Sequence, residues 1–209
     1  MSKEIRAARL ACSVLLGYPD DRVLGELPAI NAVAAELPVA LAEPLQSFID
    51  HLLTSPALEV QEHYVSVFDM KRKASPYLSY WTDGDTRNRG IGILRFKQAY
   101  REAGFDMGDD ELADHLAVVL EFAAFDETHT GEALLAEHAG PIRLLGEALR
   151  ALGSPYAHLL EVVVATLPDL TPAVRTRMEE LAAGGPPAEQ VGLEPFGVGV
   201  SVELNGARR

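Results

Sequence analysis

The sequence predicts an all-α fold, a compact single-domain bundle of roughly nine helices, and three observations carry that expectation. Apolar residues recur at helical spacing along most of the chain, strand-like alternation is nearly absent, and the periodic segments are bounded by recognisable start and stop residues. With 209 residues, 48% of them hydrophobic, the chain can bury a sizeable core, so disorder is excluded as its main state.

The first helix is expected over 5–16, where Ile5, Ala8, Cys12, Leu15 and Leu16 share a face. The charges at Lys3, Glu4, Arg6 and Arg9 precede an apolar stretch from Leu10 to Leu16 that is too short to span a bilayer. Asp20 and Asp21 follow without a small-residue cleavage site, so the segment reads as a helix rather than an export signal. Helices over 20–27, 29–37 and 39–54 come next. Ser55-Pro56 then starts one over 56–69, whose stripe is Leu58, Gln61, Val65 and Phe68. A helix over 86–103 is closed by Gly104, and one over 109–125 carries Leu112, Leu116, Val119, Leu120 and Ala123. The segment 130–152 reads as a helix bent at Pro141. Ser154-Pro155 starts 155–166, and the short β-branched run Val162 to Val164 does not outweigh that context. Thr171-Pro172 starts 171–183, with Gly184 as the expected left-handed stop. Residues 1–183 thus form the helical domain. Residues 184–209, rich in Gly and Pro, form a flexible tail that could still dock through Leu193, Pro195 and Phe196.

Composition narrows function. Thirty-one acidic against eighteen basic side chains give a formal charge of −13, which repels nucleic acid and anionic lipid alike. A cationic peptide would be steered to such a surface, although an acidic surface also serves solubility alone. The single cysteine, Cys12, excludes an intramolecular disulfide framework and fits a reducing compartment, the cytoplasm. It lies on an apolar helix face, where cysteine is more often packed than reactive. Of the six histidines only His129, with Asp126 three positions before it, approaches the Glu-x-x-His spacing of bundle metal sites, and it has no partner motif. Phosphate-cradling glycine motifs and a G-x-S-x-G elbow are absent. No metal and no cofactor of its own is expected.

The informative tract runs from Tyr64 to Gly90. Aromatics make up 7% of the chain, yet Tyr64, Phe68, Tyr77, Tyr80 and Trp81 fall close together, and they suit a peptide-binding groove as well as a core. Asp83, Asp85, Arg87 and Arg89 then alternate around Gly84. They either lock the loop to the following helix, the reading favoured for Arg87 and Arg89, or face a partner, the reading favoured for Asp83. Further on, His115 follows Asp114 on a helix that is apolar almost all round. It is either a satisfied core histidine or a polar anchor on the floor of a groove.

Tyr64-x-x-x-Phe68-Asp69, Tyr80 with Gly84-Asp85-Thr86-Arg87-x-Arg89-Gly90, and Asp114-His115-Leu116 with Leu120-Glu121-Phe122 together resemble the NarJ family. These are assembly chaperones of respiratory nitrate reductase, within the wider TorD-like chaperones of molybdoenzymes. Leu16-Gly17-Tyr18-Pro19 and Leu193-Glu194-Pro195-Phe196 extend the resemblance over most of the chain. Thr86 departs from the family's frequent Ser, and Ala113 and Ala117 stand where some members carry Pro; without those prolines the helix is expected to begin near Asp109.

The resemblance implies a TorD-like all-α chaperone without catalysis. It would bind the N-terminal segment of the apo catalytic subunit of nitrate reductase, enable molybdenum cofactor insertion before membrane docking, and meet molybdenum cofactor biosynthesis proteins. It implies no stable membrane insertion. The peptide-binding residues expected are Tyr64, Phe68, Asp69, Tyr77, Tyr80, Trp81, Asp85, Arg87, Arg89, Asp114, His115 and Glu121. Two alternatives stand beside this reading: a chaperone for another molybdoenzyme, and an enzyme using Asp114, His115 and Glu121 as acid and base groups.

Overall fold

The computed structural model describes residues 1–106 and 112–187. Among them are twelve α-helices: α1 (Lys3–Leu15), α2 (Asp21–Gly25), α3 (Leu27–Ala35), α4 (Val39–Thr54), α5 (Ala57–Tyr64), α6 (Leu78–Asp83), α7 (Arg89–Glu102), α8 (Leu116–Phe125), α9 (Thr130–Glu137), α10 (Ala139–Ala151), α11 (Tyr156–Ala165) and α12 (Pro172–Gly184). The all-α expectation is met. The tail beyond Pro187, with Leu193, Pro195 and Phe196, lies outside the described residues, as does the helix start expected at Asp109.

The bundle is built around three central helices. α1 lies against α8 and α11, and α11 in turn packs on α4 and α10. α1 buries Ala8, Ala11, Cys12 and Leu15, and α8 buries residues on nearly every side, as its composition requires. Cys12 is packed, with its sulfur 3.8 Å from the Leu159 carbonyl oxygen, and burial pushes its thiol pKa well up.

One charged residue reaches the interior unannounced. Arg9 is 1% exposed; its guanidinium pairs with the Glu132 carboxylate and donates to the Thr166 hydroxyl at 3.2 Å and the Thr166 carbonyl at 2.7 Å. It therefore clamps α1 to the start of α9 and the end of α11 through charge-assisted bonds.

Several boundaries differ from the sequence expectation, each for a local reason. The helix over 56–69 changes winding: α5 continues from Val65 to Asp69 as a π-turn in which the Met70 N–H bonds the Val65 carbonyl at 3.2 Å. The buried face carries Val60 with Val67 and Phe68 seven and eight positions on, while Leu58 is 64% exposed and Val65, seven positions after it, also faces out. Ser55 does not cap α5, because its hydroxyl is engaged with His51 Nδ1 at 3.2 Å. Ser154 and Thr171 do cap, accepting from the Tyr156 and Val174 N–H groups.

The bend expected at Pro141 is a full break at His138, since a proline at the third position of α10 would crowd the Glu137 carbonyl in a continuous helix. Leu78–Asp83 was not foreseen as a helix. Gly104 has the expected left-handed φ of 86°, whereas at the end of α12 that role falls to Gly185 (φ 75°) and not Gly184.

Candidate functional site

An open cleft of about 520 Å³ lies along α1 and α8, closed at one side by Tyr64 at the end of α5 and Tyr77 before α6. Its lining combines apolar and polar side chains: Leu10, Val14 and Val118, with Tyr18, Arg22 and Glu121 among the rest. Four of the residues singled out in the sequence, Tyr64, Tyr77, His115 and Glu121, meet here.

The cleft wall is assembled by two backbone bonds. The Leu78 N–H donates to the Asp114 carbonyl at 2.8 Å and the Leu116 N–H to the Pro76 carbonyl at 2.9 Å, making a lone antiparallel bridge between Tyr77 and His115. The two rings meet edge to face, 5.1 Å apart, and the Arg89 guanidinium sits 5.3 Å above the Tyr77 ring.

This bridge also explains why α8 begins only at Leu116, after Asp114 and His115. Residues 113–115 are extended or in a turn, and His115 is the N-cap of α8, with Nδ1 accepting from the Ala117 N–H at 3.2 Å. A histidine in that role is neutral, its proton on Nε2. Desolvation lowers its pKa to about 4, against an opposing pull from the Asp114 charge. Of the two readings open in the sequence, His115 takes part of each: it is satisfied by the backbone, and it lines the groove.

Asp114 itself is fully buried. One carboxylate oxygen accepts from the Ser79 hydroxyl and the other has no hydrogen-bond partner among the described residues. It fixes the start of α6 and does not line the cleft. Phe68 and Trp81 also belong to the core: Phe68 packs at 4.8 Å on Tyr64 and 4.9 Å on Tyr156, and Trp81 donates its indole N–H to the Ser75 carbonyl at 3.0 Å. Tyr64 bridges core and cleft, and burial with the nearby Tyr77 and Asp69 pushes its hydroxyl pKa up to about 12, so it remains a donor.

The charged turn is separate. Phe68, Asp69, Tyr80, Asp85 and Arg89 border a smaller depression of about 140 Å³ together with Arg72. Asp85 lies 3.7 Å from Arg89 and 3.9 Å from Arg72, both loose exposed contacts, while Arg87 is exposed. Asp83, read as facing a partner, is instead half-buried; it accepts from the Thr82 hydroxyl at 3.0 Å and lies against Gly92 of α7 so closely that a Cβ there would come within 2.4 Å.

Sequence reasoning missed α1's contribution. Leu10, Ser13, Val14 and Gly17 line the cleft, although only the resemblance around Gly17 and Tyr18 hinted at that region. Among the described residues no group of three or more His, Cys, Asp or Glu could hold a metal ion, and no helix is long and apolar enough to cross a membrane.

The molecule is thus an all-α bundle whose open α1–α8 groove combines apolar and polar side chains with a few charges. The profile of the nitrate reductase delta subunit family matches residues 34–161, and the chain belongs to that family. It is 33% identical over 80% of its length to the Bacillus subtilis nitrate reductase molybdenum cofactor assembly chaperone NarJ, covering 91% of that protein. It is 31% identical over 73% of its length to the Escherichia coli chaperone NarJ, covering 66% of it. It is also 39% identical over 74% of its length to the nitrate reductase-like protein NarX of Mycobacterium tuberculosis, but spans only 23% of that much longer protein. Among solved structures, a redox enzyme maturation protein from Archaeoglobus fulgidus matches with a TM-score of 0.59 over 79% of this chain and 94% of that one, at 21% identity, which shows a shared fold.

Proposed function

We propose that the protein is an assembly chaperone for respiratory nitrate reductase. It acts in the cytoplasm and holds the N-terminal segment of the apo catalytic subunit in the α1–α8 cleft, keeping that subunit open to molybdenum cofactor insertion before it docks at the membrane. Proteins of molybdenum cofactor biosynthesis would be met in the same assembly. The family membership and the relatives named as assembly chaperones support the class of activity. The observation that carries the site is the cleft: its volume of about 520 Å³ falls in the range of genuine ligand pockets, its mixed lining sets Leu10, Val14 and Val118 beside polar groups as a short amphipathic helix requires, and Glu121 stands exposed at its edge. The net charge of −13 steers a basic N-terminal segment toward it.

The protein acts by binding, not catalysis. Asp114, one of three groups an acid–base reading needs, is sealed from the cleft, and the lone pair of His115 Nδ1 is committed to the α8 cap. A strain lacking the protein should still make the nitrate reductase polypeptide but leave it without molybdenum. Normal molybdenum content in that strain would overturn the proposal, and a deficit confined to a different molybdoenzyme would move the client rather than the mechanism.

A further inference from the structure

α7 carries an apolar face that nothing among the described residues covers. Ile91 and Leu94, one helical turn apart, are 55% and 63% exposed, and the exposed side chains of Arg87 and Arg95 flank them. The opposite face, Gly92, Phe96 and Tyr100, is the one α7 buries. The exposed stripe therefore adds nothing to the fold as described.

The end of the described chain points to what covers it. After α12 the backbone turns at Gly185 and brings Pro187 onto Gly84, in the turn between α6 and α7. Gly84 has φ 65°, and the Pro187 carbonyl oxygen lies 1.6 Å from where a Cβ on Gly84 would stand. Only a glycine permits that approach, so the C-terminal segment is delivered to the foot of α7. Leu193 lies six positions beyond Pro187, a reach of up to about 20 Å when extended. Leu94 stands only about 7.5 Å of helical rise beyond Arg89. The segment that follows contains Leu193, Glu194, Pro195 and Phe196, two large apolar side chains with a carboxylate between them. Leu193 and Phe196 complement Ile91 and Leu94, and Glu194 complements Arg95.

We propose that Leu193–Phe196 of this same chain docks on the exposed face of α7, with Leu193 and Phe196 against Ile91 and Leu94. This places the C-terminal segment on the element whose first residue, Arg89, braces Tyr77 in the cleft wall. The cleft itself stays free for its client.

Hydrogen–deuterium exchange on the full chain tests this. The amides of Leu193, Glu194 and Phe196 should exchange at least tenfold more slowly than their intrinsic rates, and Leu94→Asp should restore the intrinsic rates. Leu58→Asp, an equally exposed change on α5, should leave the protection intact. Intrinsic exchange in the parent chain, or protection indifferent to Leu94→Asp, would overturn the proposal. Protection that disappears on dilution would also overturn it, by making a second copy the occupant of α7.

Discussion

Tyr77 and His115 are joined twice, by an antiparallel backbone bridge and by an edge-to-face ring contact at 5.1 Å. The pairing ties the strap ahead of α6 to the start of α8, and so sets the width of the cleft at the point where Arg89 covers the Tyr77 ring. It also keeps His115 desolvated and neutral.

That neutrality makes stability depend on pH in a stated direction. His115 binds a proton at about 4 in the folded chain against 6.5 when unfolded, and burial lowers the pKa values of His51, His63 and His138 as well. The unfolded state therefore takes up more protons between these limits. Stability is complete above pH 6.5 and falls as pH drops toward about 4. Urea midpoints from pH 7.5 to 4.5 should decline monotonically. His115→Asn, which keeps an N-cap acceptor while removing the titrating ring, should flatten the slope. A midpoint that does not change across this range would refute the neutral N-cap.

Arg9 should be the most sensitive charged position. Replacing it by Ala strands the Thr166 carbonyl and the partly buried Glu132 carboxylate, and should cost about 3 kcal/mol in equilibrium unfolding. Glu132→Gln, which leaves a hydrogen-bonding partner in place, should cost less. Equal and small effects would mean that the clamp contributes little.

How much of this was legible in the sequence depends on the kind of force involved. Helices fixed by local chemistry could be read: Thr171 and Ser154 cap where their hydroxyl–proline pairs stand, and Gly104 turns where it follows α7. Features set by tertiary contact could not. The segment 57–68 has two apolar faces at helical spacing, Leu58 with Val65 and Val60 with Val67 and Phe68, and only tertiary packing selects the second for the core. Arg9 looked like a surface charge because its partners are more than 100 residues away. The aromatic tract divided only in three dimensions: Phe68 and Trp81 turned inward while Tyr64 and Tyr77 reached the cleft, and the Gly84 to Gly90 turn that most identifies the family borders a different depression.

Gly131 of α9 packs directly against Ala123 of α8. A Cβ there would lie 2.5 Å from the Ala123 Cα, a backbone atom that cannot swing aside. Gly131→Ala should therefore destabilise by about 2 kcal/mol despite alanine's better helix propensity. A neutral or stabilising result would show that the two helices separate freely.

The α1–α8 cleft as the client's seat is tested most directly by calorimetric titration of a peptide from the nitrate reductase catalytic subunit's N-terminus. The parent protein should bind it with micromolar or tighter affinity. Glu121→Lys at the cleft edge should weaken binding several-fold at low salt and less at high salt, and Val118→Asp in the cleft should weaken it about tenfold, the loss expected for a buried apolar contact. Asp85→Lys, outside the cleft, should have the smaller effect. Absence of binding by the parent, or affinity unchanged by both cleft substitutions in a folded protein, would contradict the account.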